Sequence, residues 1–193
     1  MLRRTGAGVA AGAALSLFAT PASAEGPIPT PIGVGPRFHP TPTSAEVAGG
    51  RRSGRLACGA LVANRVRAHI EVFANRRVVI VPAGIGVAPP FVRDGGFVRR
   101  GRCSYPLRTV EPTGVVEVDV RLRPTVGELF SLWGQPLAAR RLLSFTGRVR
   151  AYVAGKPWRG SPRAIPLRRH SQIVLQVGGY IPPHRTYLFG PGR

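Results

Sequence analysis

The 193-residue sequence is poor in acidic residues, cysteine, histidine and lysine. Two cysteines and four histidines are too few for a multi-zinc array or for a scaffold held by several disulfides. Beyond the N-terminal segment, no stretch approaches the run of about 18 apolar residues that a membrane-spanning helix needs. A helical bundle is also excluded, because 25 Gly and 20 Pro are spread along the chain and both interrupt helices.

Arginine is abundant. The chain has 28 Lys+Arg against 8 Asp+Glu, a formal net charge of +20, and Lys156 is its single lysine. The arginines are scattered, often in pairs such as Arg76 and Arg77, and form no long basic run. Two interpretations stay open: a solvated basic surface, and a dedicated site for a polyanion. The length fits one domain, and 44% hydrophobic residues are sufficient for a core.

The first 24 residues predict a secretory signal peptide. Arg3 and Arg4 give a positive start, an apolar stretch follows, and an Ala-x-Ala cleavage site ends at Ala24. We therefore expect cleavage after Ala24 and a secreted protein, located outside the cell or in the cell envelope. The Arg pair lacks the hydrophobic partner that twin-arginine export signals carry.

Proline and glycine divide the rest of the chain. Residues 25–55 contain six prolines and a Gly-Gly pair, which predicts an extended linker. A β-rich domain is expected over 56–180, followed by a C-terminal tail at 181–193 that lies over the surface. Since an exported chain is oxidised, Cys58 and Cys103 predict one disulfide, with two free thiols as the alternative.

The apolar pattern predicts a mainly β fold, either a small β-sandwich or a hairpin-based sheet. Between residues 65 and 73, Val66 and Ile70 share one strand face, and Arg67 and His69 share the other. Further strands are predicted at 77–81, 115–122, from 149 onwards and at 173–177. One short helix is expected near 125–133, with Thr125 as its N-cap and Glu128 completing a capping box.

No catalytic pattern is recognisable, so we expect a non-enzymatic protein without a cofactor. No serine lies in a Gly-x-Ser-x-Gly turn, and Gly84-x-Gly86 lacks the third glycine and the helix of a dinucleotide-binding motif. Glu117 and Asp119 would be about 7 Å apart on one strand, but Arg121 beside them favours a solvated charged face. Specific nucleic-acid binding is not expected, because aromatic residues that could stack on bases are sparse.

Seven segments, in order, resemble a family of uncharacterised secreted actinobacterial-type proteins. They are AHIEVF (68–73), VPAGIG (81–86), CSYPL (103–107), TGVVEV (113–118), LFSLWGQPL (129–137), YVAGK (152–156) and PRAIPL (162–167). The family pattern has alternating histidines on the first strand, a Leu-His-Thr-His stretch after the second cysteine, and a histidine on the next strand. The resemblance therefore implies a metal site, since imidazole suits zinc or copper.

The chain departs from this pattern at the histidine positions. Arg65 and Arg67 replace the first-strand histidines and leave only His69. Arg108 and Val110 replace those of the Leu-His-Thr-His stretch. Guanidinium has no lone pair to offer a metal, so no metal ligands are predicted.

Glu117 stands at the last histidine position of the family pattern. If the family site persists, Arg67, His69, Arg108 and Glu117 should converge into a cluster that accepts a small anion or a sugar acid. The alternative is that all four line a wet sheet face.

We expect a secreted, non-enzymatic binding or structural protein of the cell envelope. Its charge would favour weak electrostatic association with anionic polymers or a lipid surface. The alternative is a degenerate or altered metal-binding domain, for zinc or copper, whose histidine site has been largely lost. His39, His170 and His184 are predicted to be isolated surface groups, and the sequence does not indicate an oligomeric state.

Overall fold

The computed structural model describes residues 36–41, 43–60 and 64–189. The predicted signal peptide, residues 25–35 of the predicted linker and the last residues of the predicted tail lie outside these ranges. Within them, no helix is long and apolar enough to cross a membrane. The chain is mainly β, which confirms the predicted fold class.

The strands are short apart from those of one central sheet. They are β1 (Arg37–Phe38), β2 (Val66–Ala74), β3 (Arg77–Val79), β4 (Val87–Ala88), β5 (Val92–Asp94), β6 (Phe97–Arg100), β7 (Cys103–Ser104), β8 (Leu107–Arg108), β9 (Val115–Val118), β10 (Leu137–Ala138), β11 (Arg141–Leu142), β12 (Phe145–Thr146), β13 (Val149–Val153), β14 (Lys156–Pro157) and β15 (Gln172–Val177). The helices are α1 (Ala45–Gly49) and α2 (Val126–Trp133), with 3-10 turns at Val120–Leu122 and Pro162–Ala164.

Strand β2 lies at the centre of the main sheet, whose order is β1-β3-β2-β15-β13-β14. It runs parallel to β15 and antiparallel to β3, to which a turn at Asn75 and Arg76 connects it. The first half of β2 pairs instead with β9, and β9 pairs with β8. The structure thus has the hairpin-based sheet of the two predicted alternatives, and it brings β8 and β9 beside the start of β2.

Both faces of β2 are buried. Ala68, Ile70 and Val72 point into the main core, where they pack with α2 and other strands. On the opposite face His69 and Glu71 are also buried, at 0% and 8% exposure. The sequence predicted a half-buried strand because alternation shows which residues share a face but not whether another segment covers that face.

Helix α2 has the predicted ends. The Thr125 side chain accepts a hydrogen bond from the Glu128 amide at 3.4 Å, and the Glu128 carboxylate accepts one from the Thr125 amide at 2.9 Å. This capping box satisfies two amides that a helix start would otherwise leave unpaired. Gly134 ends the helix in the left-handed conformation, with a φ of 72°.

Two predicted boundaries are wrong. The compact domain begins well before residue 56, because β1 pairs with β3 and Val47 of α1 is fully buried in the core. The strand predicted at 115–122 ends at Val118. There the Asp119 carboxylate accepts a hydrogen bond from the Arg121 amide at 3.1 Å, which stabilises the 3-10 turn that follows.

The predicted disulfide is present. Cys58 and Cys103 are bonded, with their Cα atoms 5.6 Å apart. Cys103 lies in β7, so the bond attaches the segment before β2 to the small β4–β7 sheet.

Candidate functional site

Three of the four predicted site residues meet where β2, β8 and β9 lie side by side. Strand register places both Arg67 and Arg108 opposite Glu117. Arg108 Nε donates to Glu117 Oε2 at 2.7 Å, and Arg67 Nη2 lies 3.5 Å from Glu117 Oε1. One carboxylate is therefore held between two guanidinium groups.

This Arg67–Glu117–Arg108 cluster is closed rather than open to a ligand. Arg108 is 6% exposed, and its Nη1 donates to the carbonyl oxygen of Arg99 at 3.3 Å. Both oxygens of Glu117 face arginine. Nearby, burial lowers the pKa of Arg65, and the charge of Arg108 lowers it further. The cluster is best suited to holding three strands together, since a buried charge is costly unless it is paired.

His69 does not join this cluster. Its Nδ1 lies 2.7 Å from the side-chain oxygen of Gln172 on β15, and its Nε2 lies 2.9 Å from the carbonyl oxygen of Thr113. The Tyr187 ring stacks on the imidazole at a centroid distance of 3.9 Å. The predicted convergence does not extend to His69. Register places Val115, not Glu117, opposite His69 on β9, and the imidazole is bound by Gln172 of β15 and by Thr113.

Burial lowers the pKa of His69, so its neutral form is favoured near pH 7. A neutral imidazole donates one hydrogen bond and accepts one. The Thr113 carbonyl can only accept, so Nε2 carries the proton and Nδ1 must accept from the Gln172 amide nitrogen. The Gln172 amide must then be rotated by half a turn, so that its nitrogen faces His69 Nδ1. Its oxygen then takes the position of the nitrogen, which has no hydrogen-bond partner among the described residues.

The C-terminal segment, residues 181–189, covers this face of the sheet. His184 Nδ1 donates to the Glu71 carboxylate at 2.9 Å, and the Ile181 amide donates to Gln176 at 3.2 Å. Phe189 stacks on His170 at 4.7 Å. Neither His170 nor His184 is therefore isolated, contrary to the prediction. Three ring-bearing side chains within six residues, His184, Tyr187 and Phe189, were the signal in the sequence that this segment packs on the domain.

We expect the protein to lose stability as the pH falls below about 6.5. The unfolded chain takes up a proton at His69 near that pH, whereas the folded chain resists protonation because the pKa is lowered. Stability from this source is present above the unfolded pKa and is lost below it. Urea unfolding of wild type and His69→Gln between pH 8 and pH 5 should show a smaller loss in the variant. Equal pH dependence would contradict this assignment, because Glu71 and His184 are retained in both proteins.

Arginine side chains also pair with three other carboxylates. Arg55 contacts Glu128 at 2.6 Å. Asp94 and Asp119 are each 2.7 Å from an arginine, Arg99 and Arg121 respectively. A hydrogen bond from Arg121 lowers the pKa of Asp119 and favours its charged form. Four carboxylates, those of Glu117, Glu128, Asp94 and Asp119, are thus neutralised by arginine.

The histidines and carboxylates that the structure describes do not form a metal centre. Among the residues that the structure describes, no three His, Cys, Asp or Glu side chains are grouped so that they could hold a metal ion. The imidazole of His69 is occupied at both nitrogens by Gln172 and Thr113.

No protein family, curated protein or solved structure matches the chain. The resemblance to secreted actinobacterial-type proteins therefore stays a prediction.

Proposed function

We propose that the protein is a secreted, non-enzymatic binding protein of the cell envelope that associates with phosphate-bearing anions, in lipid headgroups or in envelope polymers. Export is supported by the N-terminal signal sequence, and anion binding by the charge. The proposal does not include the Arg67–Glu117–Arg108 cluster as the binding site, because its charges are already paired.

The observation that carries the proposal is how the charges are paired. The carboxylates of Glu117, Asp94, Asp119 and Glu128 are each bound by arginine, so little acidic charge is left to neutralise the surface. Several arginines are exposed and take part in no ion pair within the described residues. Examples are Arg76, Arg77, Arg140, Arg148 and Arg159.

Unpaired surface arginines attract anions over a distance and hold phosphate with two parallel hydrogen bonds at contact. Because they are scattered over the surface rather than concentrated in a run, the expected interaction with a charged surface is weak and depends on ionic strength. Raising the ionic strength from about 0.01 M to 1 M shortens the Debye length from about 30 Å to 3 Å and should abolish it.

Sedimentation with lipid vesicles tests the proposal. The full chain should sediment with vesicles of equal parts phosphatidylglycerol and phosphatidylcholine at low salt, and should be released at high salt. Vesicles of phosphatidylcholine alone are the matched control and should not retain it. Soluble polyphosphate should compete if the phosphate groups are what is recognised. Absence of binding to the anionic vesicles at low salt, together with absence of binding to polyphosphate, would refute the proposal.

A further inference from the structure

An arginine-lined cleft lies between the segment before α2 and the segment before β15. Its volume is about 510 Å³, and its lining consists of Arg123, Pro166, Leu167, Arg168 and Arg169. Three of these five residues carry a guanidinium group, and no carboxylate is among them. A volume in this range holds a small organic ligand.

Backbone hydrogen bonds fix the two walls of the cleft relative to each other. The Leu167 amide donates to the Pro124 carbonyl at 2.9 Å, and the Val126 amide donates to the Ile165 carbonyl at 2.9 Å. Ser171 closes the turn after the cleft, because its hydroxyl accepts from the Arg168 amide at 3.1 Å. The backbone of the cleft therefore needs little ordering when a ligand binds, which lowers the free-energy cost of binding.

The charges that line the cleft have no counterion within the described part of the chain. Among the described residues, Arg123, Arg168 and Arg169 appear in no ion pair, and all three are exposed. The two carboxylates closest along the chain to Arg123 are occupied: Asp119 is held by Arg121 at 2.7 Å and Glu128 by Arg55 at 2.6 Å.

We propose that this cleft binds a phosphate monoester, with Arg123, Arg168 and Arg169 around the phosphate and the organic group against Pro166. A phosphate monoester carries close to two negative charges and three acceptor oxygens, which matches several guanidinium groups better than a single carboxylate does. The inference rests on the proposed function, which it narrows from a charged surface to one site and one ligand class.

Calorimetric titration of the full chain with glycerol 1-phosphate tests the cleft, with acetate as the carboxylate control. The variant Arg123→Gln/Arg168→Gln/Arg169→Gln should bind glycerol 1-phosphate at least about tenfold more weakly, because it removes the charge-assisted hydrogen bonds to the phosphate. The variant Arg37→Gln/Arg51→Gln/Arg100→Gln removes the same charge at exposed positions outside the cleft and should bind glycerol 1-phosphate as wild type does. If the triple cleft variant is unfolded by circular dichroism, the single change Arg169→Gln replaces it, with Arg100→Gln as its control.

Sedimentation with vesicles that contain phosphatidic acid distinguishes a lipid monoester from a soluble one. The cleft is assigned to a soluble ligand if the protein binds glycerol 1-phosphate but binds phosphatidic acid vesicles no more tightly than phosphatidylglycerol vesicles. The cleft is assigned to a lipid headgroup if wild type binds phosphatidic acid vesicles more tightly and the cleft variant loses this difference. An equal loss of glycerol 1-phosphate binding in both triple variants would overturn the cleft and leave the proposed function intact. The cleft proposal would also fail, and the proposed function stand, if wild type bound phosphatidylglycerol vesicles but neither glycerol 1-phosphate nor phosphatidic acid specifically. Wild type that binds none of these anions would overturn both.

Discussion

Replacing Glu117 by glutamine should lower the free energy of unfolding by about 3 kcal/mol. The change removes the negative charge between Arg67 and Arg108, whose side chains are 20% and 8% exposed. Two largely buried positive charges would then face each other without a counterion, and little water could solvate them. Urea unfolding at neutral pH, followed by circular dichroism, measures the difference.

Asp94→Asn is the matched control for that experiment. It also removes one carboxylate from an arginine, but Arg99 and Asp94 are both about half exposed, at 48% and 46%. A pair this exposed contributes less than about 1 kcal/mol. Equal losses in the two variants would contradict the structural role of Glu117. Binding to anionic vesicles should persist in Glu117→Gln under conditions where the variant is folded, because the cluster is not the binding surface.

Removing the disulfide should lower the free energy of unfolding by about 4 kcal/mol, from the chain entropy of a loop that spans a sequence separation of 45. The double variant Cys58→Ser/Cys103→Ser removes the link between the segment before β2 and β7. Its stability is compared with that of oxidised wild type by chemical unfolding.

Reduced wild type is the control that separates loss of the bond from the serine substitutions. Reduced wild type and the double variant should unfold at the same, lower denaturant concentration. If oxidised and reduced wild type unfold together, the bond contributes nothing to stability and the prediction is wrong.

Local signals in the sequence predicted local structure well. Thr125 and Glu128 predicted the start of α2, because a capping box involves residues only three positions apart. Alternation along 65–73 predicted which side chains share a face of β2. The disulfide was predicted from two cysteines in a chain that was expected to be exported.

Contacts between distant segments could not be predicted in the same way. His69 was grouped with Glu117 because both lie on polar strand faces, but the register of β9 places Val115 opposite His69, and β15 brings Gln172 to its imidazole. The role of Val47 was hidden because the surrounding prolines and glycines indicated a linker. The cleft at Arg123 and Arg168 joins residues far apart in sequence, and only the folded backbone brings them together.

The central claim is that exposed, unpaired arginines bind anions while the paired ones stabilise the fold. Arginine-specific modification by phenylglyoxal, located by mass spectrometry with and without anionic vesicles, tests it most directly. We expect exposed arginines, Arg168 and Arg169 among them, to react in the free protein and to be protected by the vesicles. Arg108, which is bound to Glu117, should stay unreactive in both samples. The claim is contradicted if the exposed arginines react equally with and without the vesicles while the protein sediments with them.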